Sequence, residues 1–464
     1  MSLVLDTNNL RKIKILVDDY PHARDASLRM ILHHCTQNDL KVLEEILFSS
    51  IQTTTQNLVE ALNLSPSQLE TSVNLFMTAG LIKNQGQILV IDKELRKFFE
   101  LEIQRFEQDF EPGIDFIAQL LKKVPIHILP VWYSLPRTST NIFESIVEKY
   151  LYTPQIYQRT ISEIQTYDPL LKTIIDLLFS SDHLELDLEF LQNHLSLSPA
   201  ALFDTIALLE FSLIASVGYR QDRSSYKGYL TPFSEFKHYL LHLRATECTT
   251  LADAQIHKIT LAPFAFIEGL FTLLNCFKNK GYHYPLDRLE ESELKEALAE
   301  DNLAYLDLEE LMQKLVTVHL METKNNQIAL NESSYSFLSM KLESAALLLY
   351  RHPLNKPCVH LAIPTDKAIR ECEKAAVRLL GKGWVLLEEF VKGMVVPFSD
   401  EEQVHLRKKG RKWVYHLPTY TTSDQDFIHH IFTDWFEKVG VIETGFVDNK
   451  PTLRLTSLGM EIFS

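Results

Sequence analysis

The chain has 464 residues, 46% hydrophobic and 23% charged, the make-up of a globular protein with room for three or four domains. Its formal charge of −15 excludes a wholly cationic nucleic-acid binder, though not a local basic patch. The five cysteines (Cys35, Cys248, Cys276, Cys358, Cys372) are scattered and form no CxxC pair, so a disulfide framework or structural zinc site is not expected and a reducing, cytoplasmic setting is.

The opening MSLVLDTNNLRKIKILVDD carries charges inside its first apolar stretch and does not read as a signal peptide. Residues 39–50, DLKVLEEILFSS, place Leu40, Leu43 and Leu47 at helical spacing. A second short helix, QNLVEAL (56–62), leads into NLSPSQLETSVNLFMTAGLI (63–82). There Ser65 is an N-cap, Pro66 takes the first helical position, and Leu69, Val73 and Phe76 share a face predicted to be buried. The period then changes: LIKNQGQILVI (81–91) reads as two strands around a turn, and DKELRKFFELEI as a closing helix. Residues 101–167 follow as a helical connector.

The same phrase then returns. DPLLKTIIDLLFSS (168–181), LEFLQNHL (188–195) and SLSPAALFDTIALLEFSLI (196–214) repeat the three helices, with Ser198 and Pro199 at the third start and Leu202, Ile206 and Leu209 inward. LIASVGYRQDRSSYKGYLTP (213–232) is the hairpin and PFSEFKHYLLHL the closing helix. The apolar run ITLAPFAFIEGLFTLLNCF (259–277) contains Pro263 and Glu268 and reads as a buried helix rather than a membrane span. Residues 307–340 and 423–463 repeat third helix, hairpin and closing helix, and the Pro-rich 352–366 reads as a linker.

Helix, helix, helix, hairpin is the order of a winged helix. The expected fold is mainly α, a tandem array of winged-helix units: 1–100 with N-terminal helices, 168–243, 244–351 and 367–464, with the connector 101–167 and the linker 352–366 between them. In the last unit, Gly383-Trp384 before a helix, Val439-Gly440-Val441-Ile442 at a helix end and Leu455-Thr456-Ser457-Leu458-Gly459 at the close resemble the winged-helix region of XPB/Ssl2-type helicase proteins. The resemblance covers about a fifth of the chain and implies a DNA-transaction setting. It brings no motor: there is no GxxxxGK[ST], and Gly381-Lys382-Gly383 lacks the phosphate cradle.

A DNA-reading third helix needs cations or amides on its outer face. Here those helices offer Glu70; Asp204 and Glu210; Asp307, Glu309 and Glu310 against Lys314; and Asp424, Asp426, Asp434 and Glu437 against Lys438. Ser72 and Asp204 are read as outward positions. The exception to this acidity is HLRKKGRKWVYH (405–416), where Arg407, Lys408, Lys409, Arg411 and Lys412 precede Trp413; cations beside aromatics suit a nucleic-acid backbone, and a solvated loop is the plainer reading. Arg220, Arg223, Lys227, Lys324 and Lys450 would serve as basic wing tips.

No catalytic constellation emerges. His238 and His242 stand at i, i+4 but lack the Glu of HExxH and a third ligand, the doublets His33-His34 and His429-His430 diverge on a helix, and Cys372 reads as a helix residue. The expectation is a non-enzymatic scaffold or regulator in DNA or transcription machinery, without cofactor, metal, membrane or small-molecule substrate. Its partners would be proteins, which acidic third helices suit if they are basic. The alternative is a nucleic-acid binder acting through 405–416 and the wing tips.

Overall fold

The computed structural model describes residues 13–86, 88–136, 141–258, 263–352, 365–398, 403–410 and 412–464. The protein is mainly helical with small antiparallel sheets. Two compact units are formed, 1–241 together with 405–416, and 242–404 together with 417–464. Among the described residues no helix is long and apolar enough to cross a membrane. Most of the predicted linker, 353–364, lies outside the described residues, as does Arg411.

One order of elements recurs. In the first unit, helix Gln37–Phe48 is followed by strand Gln52–Thr54, helices Thr55–Leu62 and Pro66–Thr78, hairpin strands Ile82–Gln85 and Ile88–Ile91, and helix Lys93–Glu102. Helix Pro169–Ser180, strand Leu186–Asp187, helices Leu188–His194 and Pro199–Phe211, strands Ala215–Asp222 and Ser225–Pro232 and helix Ser234–Ala245 repeat it. Each short leading strand pairs with the second hairpin strand, so both sheets share one strand order.

The second unit uses the same plan twice. Helices Ala265–Asn279, Arg288–Glu300 and Leu308–Thr317 precede strands Glu322–Lys324 and Gln327–Ala329, with a single bridge from His283 to Gln327 in place of the leading strand. The last repeat runs from helix Thr365–Ala376 through strand Val385–Leu386 and helix Leu387–Lys392 to a third helix over 422–438, whose middle, Ile431–Trp435, winds as a π-helix. Strands Ile442–Val447 and Lys450–Leu455 and helix Ser457–Phe463 close it.

Local chemistry explains the repeated phrase. Ser65 accepts from Gln68 N while the Gln68 side chain returns to Ser65 N, a capping box with Pro66 at the first turn. Ser198 accepts from Ala201 N in the same way. Leu69, Val73, Phe76, Leu202, Ile206 and Leu209 are all buried, as the spacing predicts. Ser72 is not outward: it is buried and donates to Asp39 Oδ1 at 2.5 Å, pinning its helix to Gln37–Phe48.

Glu210 overturns its reading as an outward acidic group. It is fully buried and belongs to a closed ring of alternating charges in the first unit. Arg29 joins Asp25 (2.8 Å) to Glu210 (2.7 Å). Arg105 joins Glu210 (2.6 Å) to Glu102 (2.8 Å). Lys123 joins Glu102 (2.6 Å) back to Asp25 (3.3 Å). Three anions meet three cations, and Ser216 adds a hydroxyl to Glu210 at 2.7 Å. The ring ties helix His22–His33, the connector and the third helix of the second repeat into one body. Burial alone would raise the Glu210 carboxyl, but Arg105 and Arg29 more than offset it and hold it down to about 2.

Glu235, in helix Ser234–Ala245, lies at the opposite extreme. Its Oε1 accepts from Ile114 N at 2.9 Å at the start of helix Ile114–Leu121, and its buried Oε2 has no hydrogen bond among the described residues. The approach is close: a Cβ on Gly113 would meet Oε1 at 2.8 Å. Burial pushes this carboxyl up to about 7, against the pull of the Ile114 amide.

Two predictions follow from these groups. Glu210→Ala strands two buried guanidinium groups and should cost on the order of 3–5 kcal/mol, read by urea denaturation. Its contribution is complete above about pH 4.5 and is lost as pH falls through its folded value of about 2. For Glu235 the sign reverses: with a folded value of about 7 against an ordinary 4.5, stability is full below pH 4.5 and declines as pH rises to 7. The decline is on the order of 3 kcal/mol. Glu235→Gln should flatten it in melting curves taken from pH 4.5 to 8, and an unchanged slope refutes the assignment.

Candidate functional site

The basic stretch 405–416 folds as a hairpin of strands Leu406–Lys409 and Lys412–Tyr415, with Gly410 at φ +65° in the turn. Its register pairs Leu406 with Tyr415 and Lys408 with Trp413 on one face, and Arg407 with Val414 and Lys409 with Lys412 on the other. The base is anchored within the first unit. Leu406 N donates to Tyr152 O at 2.9 Å, Tyr415 Oη donates to Leu151 O at 2.7 Å, and the His405 ring stacks on Tyr152. Leu406 and Tyr415 are buried, so packing accounts for Tyr415, and Trp413 is half-buried.

The cations divide. Arg407 is half-buried and its Nε donates to His405 Nε2 at 2.9 Å. Lys408, Lys409 and Lys412 project at the tip, and among the described residues their one carboxylate contact is Lys412 to Glu111 at 3.8 Å. Lys409 and Lys412 are directly opposed across the strands, an arrangement that destabilises a hairpin and that nothing in the packing requires.

The cations at the other hairpin tips are less free. Arg220 makes a two-pronged bond to Glu185 (2.6 and 2.8 Å) and lies over the Tyr229 ring. Lys227 pairs with Asp222 at 2.8 Å and Lys324 with Glu322 at 3.3 Å. Arg223 occupies the turn at φ +56°, and Lys450 begins the last hairpin's second strand. The second repeat's hairpin also packs on the first repeat: Gln37 N donates to Ser224 O at 3.1 Å, and Phe106 stacks on Tyr219 and meets Tyr226 edge-on.

The third helices are largely occupied too. Pro199–Phe211 is covered on its outer side by helix His22–His33, through Arg29–Glu210 and the His33–Phe203 ring contact, while Tyr133 Oη donates to Phe211 O at 2.6 Å. In the second unit, Lys438 bonds both Glu310 and Asp434, and Lys314 Nζ lies 5.1 Å from the centre of the Trp435 ring, so the third helices of its two repeats face each other. Asp307 and Asp424 serve as cap partners at their helix starts. The outer face of Pro66–Thr78 remains exposed, with Ser67, Glu70, Thr71, Asn74 and Thr78.

Several of the candidate catalytic groups have partners of their own. His238 Nε2 contacts Glu111 at 3.2 Å, His430 lies 3.5 Å from Asp434, and the buried Cys372 thiol is pushed up by burial, the reverse of an activated nucleophile. Among the described residues, no three His, Cys, Asp or Glu side chains are grouped to hold a metal ion.

No family model, curated protein or solved structure matches the chain.

The docked base and projecting tip predict a distinct protease response. Tyr415→Ala removes the Leu151 hydrogen bond and the ring that meets Tyr239 edge-on. Trypsin cleavage at Lys408 and Lys409 should then accelerate severalfold over the parent protein, measured by mass spectrometry of timed digests. Equal rates would mean that the tyrosine does not anchor the hairpin.

Proposed function

We propose that the chain is a non-enzymatic interaction scaffold, a tandem array of four winged-helix units that use their helix-turn-helix surfaces for protein contacts. The shared element order and strand order support the winged-helix assignment. The observation that carries the reading is the fate of the third helices. In the second, third and fourth repeats the helix that would enter a DNA groove is packed against another part of its own compact unit. Surfaces of this kind that already bury protein are suited to bury more of it. The exposed face of Pro66–Thr78, polar with Glu70 and no cation, suits a basic protein partner better than phosphate. The resemblance of the last repeat to XPB/Ssl2-type proteins supports a setting in DNA or transcription machinery, and the missing phosphate loop supports a role without a motor.

The opposed Lys409 and Lys412 favour a second reading, in which the hairpin tip touches nucleic acid. One experiment separates the two. Binding of the full chain to a fluorescent duplex and a single strand is measured across a salt series. The scaffold reading expects weak binding that vanishes at physiological salt. If binding persists, Lys408→Glu, Lys409→Glu and Lys412→Glu together should flatten the slope of log affinity against log salt by about two to three. The fold should survive, since exposed substitutions usually change stability within about 0.5 kcal/mol. Persistent binding with an unchanged slope in the folded variant would defeat both readings.

A further inference from the structure

The first unit contains a groove of about 690 Å³ that neither reading uses. One wall is the start of helix His22–His33, the second is helix Lys93–Glu102, and the third is the end of helix Ile114–Leu121 with the two lysines after it. The floor is apolar, from Leu28, Leu95, Leu101 and the half-buried Phe98. Lys123 reaches in from the charge ring, its Nζ lying 4.3 Å from the centre of the Phe98 ring.

The rim is not electrically balanced. Asp25 is held by Arg29 and Lys123, Glu94 lies 3.4 Å from Lys97, and Glu100 is paired with Arg96 at 3.0 Å. Each rim carboxylate therefore has a cation. The Arg24 and Lys122 side chains are exposed at the mouth and, among the described residues, form no ion pair or hydrogen bond, the nearest influence being the pull of Arg24 on the Asp92 carboxyl. An apolar trough with two exposed cations at its lip, neither in an ion pair among the described residues, complements a ligand with apolar side chains and carboxylates side by side. The volume is within the range of pockets that enclose a ligand and suffices for two or three large side chains of a peptide.

We propose that this groove docks an acidic, amphipathic peptide segment of a protein partner, its Leu or Phe side chains on the Phe98 floor and its Asp or Glu side chains on Arg24 and Lys122. The inference deepens the scaffold reading by assigning a partner chemistry to one surface. It differs from the exposed face of Pro66–Thr78, which suits a basic partner.

The test is to pan a random dodecamer display library against the full chain and measure enriched peptides by fluorescence anisotropy. Enrichment should favour sequences combining Leu or Phe with Asp or Glu. Arg24→Glu with Lys122→Glu should weaken those peptides at least about tenfold, because both cations become repulsive. These side chains are exposed and form no ion pair among the described residues, so the fold should hold, which circular dichroism checks. Phe98→Ala, examined separately, should weaken binding with the rim charges intact. No enrichment over an unrelated protein, or peptides that bind the folded double variant undiminished, would overturn the proposal. Binding of sodium octanoate or inorganic phosphate at this rim without peptide enrichment would overturn it too, by marking a small-anion site. The hairpin variants leave the groove untouched, so the scaffold reading and this inference can fail independently.

Discussion

The first unit depends on a closed circuit of six charges. Ion pairs taken out of water seldom stabilise by themselves, because desolvation consumes most of the Coulomb gain. The circuit softens that penalty by giving every charge two opposite neighbours: Glu210 lies between Arg29 and Arg105, Glu102 between Arg105 and Lys123, and Asp25 between Lys123 and Arg29. Such an arrangement has one geometry. A hydrophobic patch would let helix His22–His33 slide or rotate on Pro199–Phe211, whereas the ring fixes its register. Specificity, more than strength, is what the circuit contributes, and the depressed Glu210 carboxyl is its electrostatic signature.

That fixed register bears on the function proposed above. A helix-turn-helix exposes its third helix because DNA must reach it. Here the N-terminal helix occupies that place in the second repeat, and in the second unit two third helices occupy it for one another. The same shape that fits a groove also fits a helix.

Local features were legible in the sequence. Ser65-Pro66 and Ser198-Pro199 act within one helical turn, so their caps need no knowledge of the fold. The hairpins and the buried faces of the third helices were legible for the same reason. Ser72 and Glu210 were misread because their partners, Asp39, Arg29 and Arg105, are distant in sequence. A signal was present for Glu210. Its helix, PAALFDTIALLEF, is apolar around most of its circumference, which marks a helix buried on more than one side, and a carboxylate there must have a cation. Nothing comparable announced the groove or the membership of 405–416, which depend on how distant segments meet.

The placement of that hairpin bears on how the chain is made. Residues 405–416 complete the first unit, yet they leave the ribosome only after 242–404. Until then the Leu151 and Tyr152 carbonyls have neither Tyr415 nor Leu406 to bond. Domains in most multidomain chains can fold one after another as they emerge. This one holds its first unit unfinished through the synthesis of most of its second. The closing contact spans some of the longest sequence separations in the molecule, and such contacts form late because their loop entropy must be met first. A chain broken anywhere between 242 and 404 would thus lose part of both units, and the first unit is complete only in a chain that reaches residue 416.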